Sequence, residues 1–235
     1  MTLKDRIKLA FSGWTSRIKA GPLAGFRWIS VSGGRFVRGT YEPDSTAVFL
    51  QHVRPGAVVF DIGAHVGYYS VLASHLAGAT GKVFAFEPRP FNLKCLLRHR
   101  ELNGLPQLQA FDVCVGAKAA SARFESRTGS GTGHLAADGD LAVTVISLDD
   151  WLREGRLAPP DFVKIDVEGA EREVLSGAQE MLKSRRPKLL LSLHSVELNR
   201  WAQAHLRDHG YQLTYVQGTE TSEAAEVLAI PGERN

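Results

Sequence analysis

Cysteine is scarce in this 235-residue chain: Cys95 and Cys114 are the only two. They have no partner cysteines and no C-x-x-C spacing, so neither a disulfide framework nor a thiolate metal site is indicated, and a reducing cytoplasm fits. Long apolar runs are missing as well. The opening Met1-Thr2-Leu3-Lys4-Asp5-Arg6-Ile7-Lys8 is interrupted by charge throughout, which leaves neither a secretory core nor a membrane span. The expectation is a soluble, cytoplasmic chain, at most peripheral to a membrane. Charge of one sign is equally short: 28 Lys and Arg stand against 25 Asp and Glu, for a formal net charge of +3. The basic residues form no tract and show no zinc-ligand or RNA-motif spacing, so nucleic acid is not expected as a partner. There is no internal repeat and no low-complexity stretch.

What is present is an ordinary globular composition, 44% hydrophobic and 23% charged, enough for one sizeable core with short additions. Residues 1–43 read as an N-terminal helix plus an accessory segment, and 44–235 as the main domain. Leu3, Ile7, Phe11, Trp14 and Ile18 recur at helical spacing, with Lys4, Arg6, Lys8, Arg17 and Lys19 largely outside the stripe. This basic amphipathic helix would suit an anionic membrane surface, or pack on the core as a lid or dimer contact. Gly21-Pro22 stops it, and Trp28 to Tyr41 reads as a short hairpin or irregular segment.

From Asp44 onward strands and helices alternate. Strands are expected at Ala57 to Asp61, Lys82 to Glu87, Leu108 to Val115, Ala122 to Glu125, Phe162 to Asp166 and Lys188 to His194. Helices are expected at Ser45 to His52, Gly67 to His75, Pro90 to Asn103, Leu148 to Arg153, Ala170 to Ser184 and Val196 to His209. Such alternation implies an α/β fold, a parallel sheet covered on both faces. Tyr211 to Gln217 and Glu226 to Ile230 depart from it as a terminal hairpin. A hairpin on an otherwise parallel sheet distinguishes the Rossmann-like class I methyltransferase variant from a plain dinucleotide-binding domain. Gly129 to Gly133 reads as a flexible tip.

Asp61-Ile62-Gly63-Ala64-His65-Val66-Gly67 follows an apolar strand and opens a helix, where an open parallel sheet binds its ligand. Gly63 would let the backbone approach that ligand closely. His65 occupies the place of the second glycine in the dinucleotide fingerprint, which disfavours a diphosphate. The zwitterionic amino-acid end of S-adenosylmethionine suits Asp61 beside backbone N–H groups. Glu87 ends the next strand, near the ~20-residue offset of the carboxylate that accepts from ribose hydroxyls. After the third strand, Asp112 and Val113 are placed to meet the adenine, or Asp112 is simply satisfied by a nearby loop.

The second unusual segment is Asp161-Phe162-Val163-Lys164-Ile165-Asp166-Val167-Glu168-Gly169-Ala170-Glu171. Lys164 inside a buried strand requires a carboxylate partner nearby. Asp166 and Glu168 fall at the carboxyl end of that strand, and Glu171 in the first turn of the next helix, where acidic residues are also favoured by the helix dipole. His194 ends the neighbouring strand, so it should border the same pocket as Asp166 and Glu168. An imidazole of unperturbed pKa ~6.5 there could accept a hydroxyl proton. Two alternatives remain open: the three groups hold a divalent metal ion, which is less favoured than the metal-free base, or His194 is a strand-end residue satisfied by a carbonyl.

Asp61 to Gly67 continuing through Tyr68-Tyr69-Ser70, then Phe86-Glu87-Pro88, Ser147-Leu148-Asp149-Asp150, and Lys164 to Glu171 resemble the ordered signature of FkbM-type methyltransferases; upstream Gly39-Thr40-Tyr41-Glu42 is similar as well. His65 and Ser192 depart from it, where that family commonly has Asn and often Glu. The resemblance spans roughly Gly39 to His194. It implies S-adenosylmethionine as the methyl donor; with the placements above, the residues expected to hold it are Tyr41, Glu42, Asp61, Gly63, His65, Gly67, Tyr68, Ser70, Glu87, Pro88, Asp112, Val113 and Asp166, and those expected to carry catalysis are His194, Asp166 and Glu168. The implied reaction is O-methylation of a small-molecule hydroxyl acceptor: a sugar, glycolipid or secondary metabolite. Two other readings stand beside it. A nicotinamide-dependent oxidoreductase is opposed by His65 and the lack of a separate substrate domain; a non-catalytic adenosyl-binding module is opposed by the gathering of ionisable groups at one sheet edge.

Overall fold

The computed structural model describes residues 13–126 and 133–233. Its first strands, β1 (Thr15–Arg17) and β2 (Arg27–Ile29), form an antiparallel hairpin, followed by the short helix α1 (Gly34–Arg38) and by α2 (Pro43–His52). Then come β3 (Val58–Ile62), α3 (Tyr68–Ala77), β4 (Lys82–Phe86), α4 (Pro90–Leu102) and β5 (Leu108–Phe111). Four strands depart from the alternation: β6 (Cys114–Val115), β7 (Ala120–Glu125), β8 (His134–Leu135) and β9 (Leu141–Ile146). The chain resumes with α5 (Leu148–Arg153), β10 (Phe162–Ile165), α6 (Glu171–Ser176), β11 (Lys188–Leu193) and α7 (Val196–Asp208), and closes with β12 (Tyr211–Gln217) and β13 (Ala225–Pro231).

The central sheet runs β12-β13-β11-β10-β3-β4-β5. The five strands from β11 to β5 are parallel, and the terminal hairpin joins them through β13, which is antiparallel to β11 and to β12. The order reverses between β3 and β10, so their carboxyl ends open the crevice in which such sheets bind ligands. Side chains alternate between faces. Val59, Val83, Phe162, Leu190 and Leu228 pack with α2, α3, α4 and the N-terminal segment, whereas Phe60, Phe84, Val163, Leu191 and Val227 pack with α5, α6 and α7.

On the first of these faces, the alternation also places Asp61, Lys164, Ser192 and Glu226. Lys164 pairs in register with Asp61, and Ser192 with Glu226. A polar band therefore crosses an apolar sheet at its ligand edge.

Four expectations are corrected. The amphipathic helix does not reach Ile18, because Thr15–Arg17 is a strand; the earlier part of that expectation lies outside the described residues, as does most of the Gly129 to Gly133 tip. Backbone pairing with Arg27–Ile29 takes precedence over the helical spacing there, and Ile18 is still buried. The irregular segment contains α1, and the hairpin lies ahead of it. His99 ties this segment down: its ring stacks on Trp28 at 3.6 Å between centroids and its Nε2 accepts from the Ile29 amide at 3.0 Å. The expected strand Leu108 to Val115 breaks at Asp112-Val113, since β6 leaves the central sheet to pair with β9 in the four-stranded sheet β6-β9-β7-β8. Finally, Ala170 to Ser184 is not one helix. It stops at Ser176, where Gly177 lies so close to Gly116 that a Cβ would fall 2.1 Å from the Gly116 carbonyl.

Candidate active site

At the carboxyl edge of the central sheet lies a hollow of about 380 Å³, a size suited to a small molecule. The ends of β3 and β4 supply one half, through Gly63, His65, Glu87, Pro88, Arg89 and Asn92. Val113, Cys114, Val115 and Phe124 adjoin it. The other half comes from Tyr41 and Glu42 ahead of α2, Ser192 to His194 at the end of β11, and Gln217 and Ala224 to Glu226 in the terminal hairpin. Asp166 and Glu168, after β10, stand between them at the switch point.

The turn after β3 is held by geometry that only glycine allows. Gly63 has φ +82°, and a Cβ there would sit 1.8 Å from the Asp166 carbonyl oxygen. The amides of Gly63 and Ala64 both donate to the Phe86 carbonyl at 3.0 Å. Glu42, His65 and Glu168 also adopt left-handed backbone, with φ of 38°, 52° and 56°. For residues with a Cβ this costs on the order of 1–3 kcal/mol each and concentrates at functional sites. All three line the hollow.

Glu87 is buried at the end of β4. Its carboxylate accepts from the His65 amide at 2.8 Å, the Arg89 amide at 2.9 Å and the Asn92 side chain at 3.3 Å. Burial raises its pKa to about 7 in spite of these donors. A desolvated carboxylate at the hollow fits the ribose of an adenosyl group, whereas Gly63, expected to admit the ligand, is required instead by the close packing of the Asp166 carbonyl against its turn.

Lys164 finds the carboxylate that its burial demands. Nζ lies 2.8 Å from Asp166 Oδ2, with Asp61 opposite in register and the Tyr69 ring 4.9 Å away. Burial alone would depress the lysine, but the two carboxylates hold its pKa above the ordinary value. Burial likewise works against Asp166, and the Lys164 cation outweighs it, keeping Asp166 below the usual range. For Asp61 burial prevails and its pKa is raised despite Lys164 and Ser70.

His194 is clamped from behind. Nδ1 lies 2.9 Å from Oε1 of the fully buried Glu171. Glu171 also accepts from the Val167 amide at 3.2 Å and the Gly169 amide at 3.1 Å. Its oxygens act as acceptors, so Nδ1 carries the hydrogen and neutral His194 keeps its Nε2 lone pair. Nε2 stands 3.6 Å from both Asp166 Oδ1 and Glu168 Oε2. Burial disfavours the imidazolium, yet the Glu171 hydrogen bond and charge, with Asp166 and Glu168, hold its pKa above the ordinary value. Glu168 itself is raised by burial.

Of the residues expected on a cofactor, Tyr41, Glu42, Gly63, His65, Glu87, Pro88, Val113 and Asp166 line the hollow, together with Glu168 and His194. The other five stand elsewhere. Asp61 is buried behind the wall, hydrogen-bonded to Ser70. Gly67 caps α3, and Tyr68 packs among Trp28, Phe36 and Tyr41. Asp112 opens instead on an adjacent hollow with Phe111 and Trp151, which shares Val113 with the first. Sequence reasoning did not connect Glu171 with His194, and it passed over Glu226, Arg89, Asn92 and Gln217. For Glu226 a signal existed: it is a lone carboxylate in the apolar run Ala225-Glu226-Val227-Leu228-Ala229.

Residues 61–213 match the family model described as the methyltransferase FkbM domain. A 31-O-demethyl-FK506 methyltransferase FkbM of Streptomyces tacrolimicus is 30% identical over 220 residues, covering 75% of this chain and 84% of that protein. A hexuronic acid methyltransferase AglP of Haloferax volcanii is 28% identical over 145 residues, covering 61% of this chain and 59% of its own length. Among solved structures, a methyltransferase FkbM from Methylobacillus flagellatus superposes with a TM-score of 0.56 at 17% identity, covering 85% of this chain and 53% of that one. A precorrin-6y C5,15-methyltransferase from Geobacter metallireducens gives 0.53 at 20% identity, with coverages of 80% and 88%.

Proposed function

The chain belongs to the methyltransferase FkbM family, and from that premise we propose that it methylates a hydroxyl of a sugar, glycolipid or secondary metabolite in the 380 Å³ hollow. It is an S-adenosylmethionine-dependent O-methyltransferase on the class I fold. Bound there, S-adenosylmethionine supplies a methyl group already activated by a sulfonium. The chain's own work is placement, proton removal and exclusion of water.

In this reading Glu87 accepts from the ribose hydroxyls, and Gly63 and His65 bring backbone against the cofactor. Asp61 acts indirectly, as a counter-charge that keeps Lys164 and hence Asp166 in place. His194 Nε2 takes the acceptor's proton while Glu171 fixes the tautomer and the ring plane. Asp166 and Glu168 stabilise the imidazolium that results. The observation that carries this assignment is the 2.9 Å contact between Nδ1 and a fully buried carboxylate, which leaves one ring nitrogen committed to the cavity side. His194→Ala should lower turnover by about 10²–10⁴ and leave cofactor affinity nearly unchanged. Near-normal turnover would remove His194 as the base.

A second reading rests on one distance relation. Ligand atoms of Asp166, Glu168 and His194 lie within 4.8 Å of one another, close enough for a divalent ion to bridge them. Activity abolished by a chelator and restored by magnesium or manganese would transfer the three residues to that role.

A further inference from the structure

In the half of the hollow facing away from Glu87, the carboxylates outnumber every other charged side chain. Glu42 and Glu226 line it, Asp166 and Glu168 stand at its boundary, and among the described residues on the wall Arg89 is the only Arg or Lys, on the Glu87 side. Lys164 is engaged by Asp166, and His194, on the wall itself, spends Nδ1 on Glu171. Glu226 stands out among the four carboxylates. It is 8% exposed, it arrives from the terminal hairpin, and its hydrogen-bond partners among the described residues are the hydroxyls of Ser45 and Ser192, the latter at 3.5 Å. A structural carboxylate at this depth would ordinarily meet a cation or several backbone amides. Glu226 instead meets rotatable hydroxyls, the donor type that a polyol offers, on the wall of a cavity.

We infer that Glu226 is a specificity-determining residue that accepts hydrogen bonds from hydroxyls of the methyl acceptor, so that the site takes an uncharged sugar or polyol and rejects an acidic one. The inference rests on the methyltransferase reading. A carboxylate strengthens a hydroxyl's hydrogen bond by its charge, which rewards a neutral polyol. An acceptor carrying a carboxylate or phosphate meets four like-charged side chains among the described residues on this wall, against Arg89 on the Glu87 side and a His194 ring whose Nδ1 is spent on Glu171, an element of selectivity by repulsion. Burial raises the pKa of Glu226, opposed by Ser45 and the Lys164 charge, which accords with a group waiting for donors.

The test uses the full chain saturated with S-adenosylhomocysteine and titrated by calorimetry and ligand-observed NMR. The probes are matched pairs: methyl glycosides of glucose, galactose and mannose, each against its methyl hexuronoside, at neutral pH. At least one neutral glycoside should bind at least tenfold more tightly than its acidic partner. Glu226→Gln should shrink that ratio while leaving S-adenosylhomocysteine affinity unchanged. Equal or tighter binding of the hexuronosides overturns the inference, as does binding of no neutral glycoside. An unchanged ratio in Glu226→Gln, or a loss of S-adenosylhomocysteine affinity in that variant, overturns the role of Glu226. Should the variant not fold, the wild-type ratio decides. Failure of S-adenosylhomocysteine itself to bind wild-type protein would instead remove the underlying methyltransferase reading.

Discussion

His194 and Glu171 form a dyad in which a carboxylate with no solvent exposure receives the Nδ1 hydrogen of a partly exposed imidazole at 2.9 Å. The arrangement sets a pH dependence. Because the surrounding carboxylates raise the His194 pKa, His194 in the proposed role of base is neutral, and active, only above that raised value. Activity should therefore climb with pH along a limb centred above ~6.5, the unperturbed histidine value. Glu171→Gln removes a charge that favours the imidazolium, so the limb should move to lower pH while the plateau rate falls through lost orientation. A pH–kcat/KM profile of both proteins checks this, and a limb that stays in place would detach Glu171 from the base.

Cofactor binding should be linked to proton release at Glu87. Its pKa of about 7 in the free protein reflects burial, and donors from a ribose would favour the ionised form and lower it. Affinity should thus increase as pH rises toward and through about 7, and calorimetry in buffers of different ionisation enthalpy should register protons leaving. Glu87→Ala should weaken binding at least tenfold, in keeping with the ~1.5–3 kcal/mol of a hydrogen bond to a charged group. Unchanged affinity would sink the ribose assignment.

Lys164 should be costly to remove. Lys164→Met leaves Asp166 and Asp61 without their shared cation, and breaking such a buried pair typically costs about 3–5 kcal/mol. Urea unfolding should show the loss. Adding Asp61→Asn to Lys164→Met should recover part of it, since one uncompensated charge disappears; additive losses would contradict the coupling.

Gly63→Ala should fail at the cofactor step or earlier. The new methyl would meet the Asp166 carbonyl at 1.8 Å on a left-handed backbone, so the turns after β3 and β10 must separate. Thermal melting with and without S-adenosylmethionine reads the outcome: the variant should melt lower and lose the ligand-induced rise.

The parallel core was legible because strands buried on both faces read as apolar runs, as at Val58–Ile62 and Leu189–Leu191. Lys164 was legible for the converse reason, since a charge inside such a run demands a partner, and Asp166 is there at 2.8 Å. The side sheet was not. The strand β9 escaped notice, and β6 was read as a continuation of β5, because which edge a short strand joins depends on pairing distant in sequence. The helical spacing of Trp14 and Ile18 misled in the same way. Asp61, Ser70 and Tyr68 belong to the motif but not to the wall: Asp61 and Ser70 are hydrogen-bonded to each other between β3 and α3, and Tyr68 packs among Trp28, Phe36 and Tyr41.

The terminal hairpin divides one cavity between two structural settings. Gln217, Ala224, Ala225 and Glu226 belong to the antiparallel hairpin β12–β13, which borders the parallel strands only through β11. The Glu87 half rests on β3 and β4, deep inside the sheet, where any change in backbone is transmitted to neighbours on both sides. With the acceptor on the hairpin side, as inferred above, exchanging the hairpin's inward positions should alter what the site admits and spare the Glu87 half. Retargeting by design can therefore begin at residues 217–226, with the interior strands left unchanged.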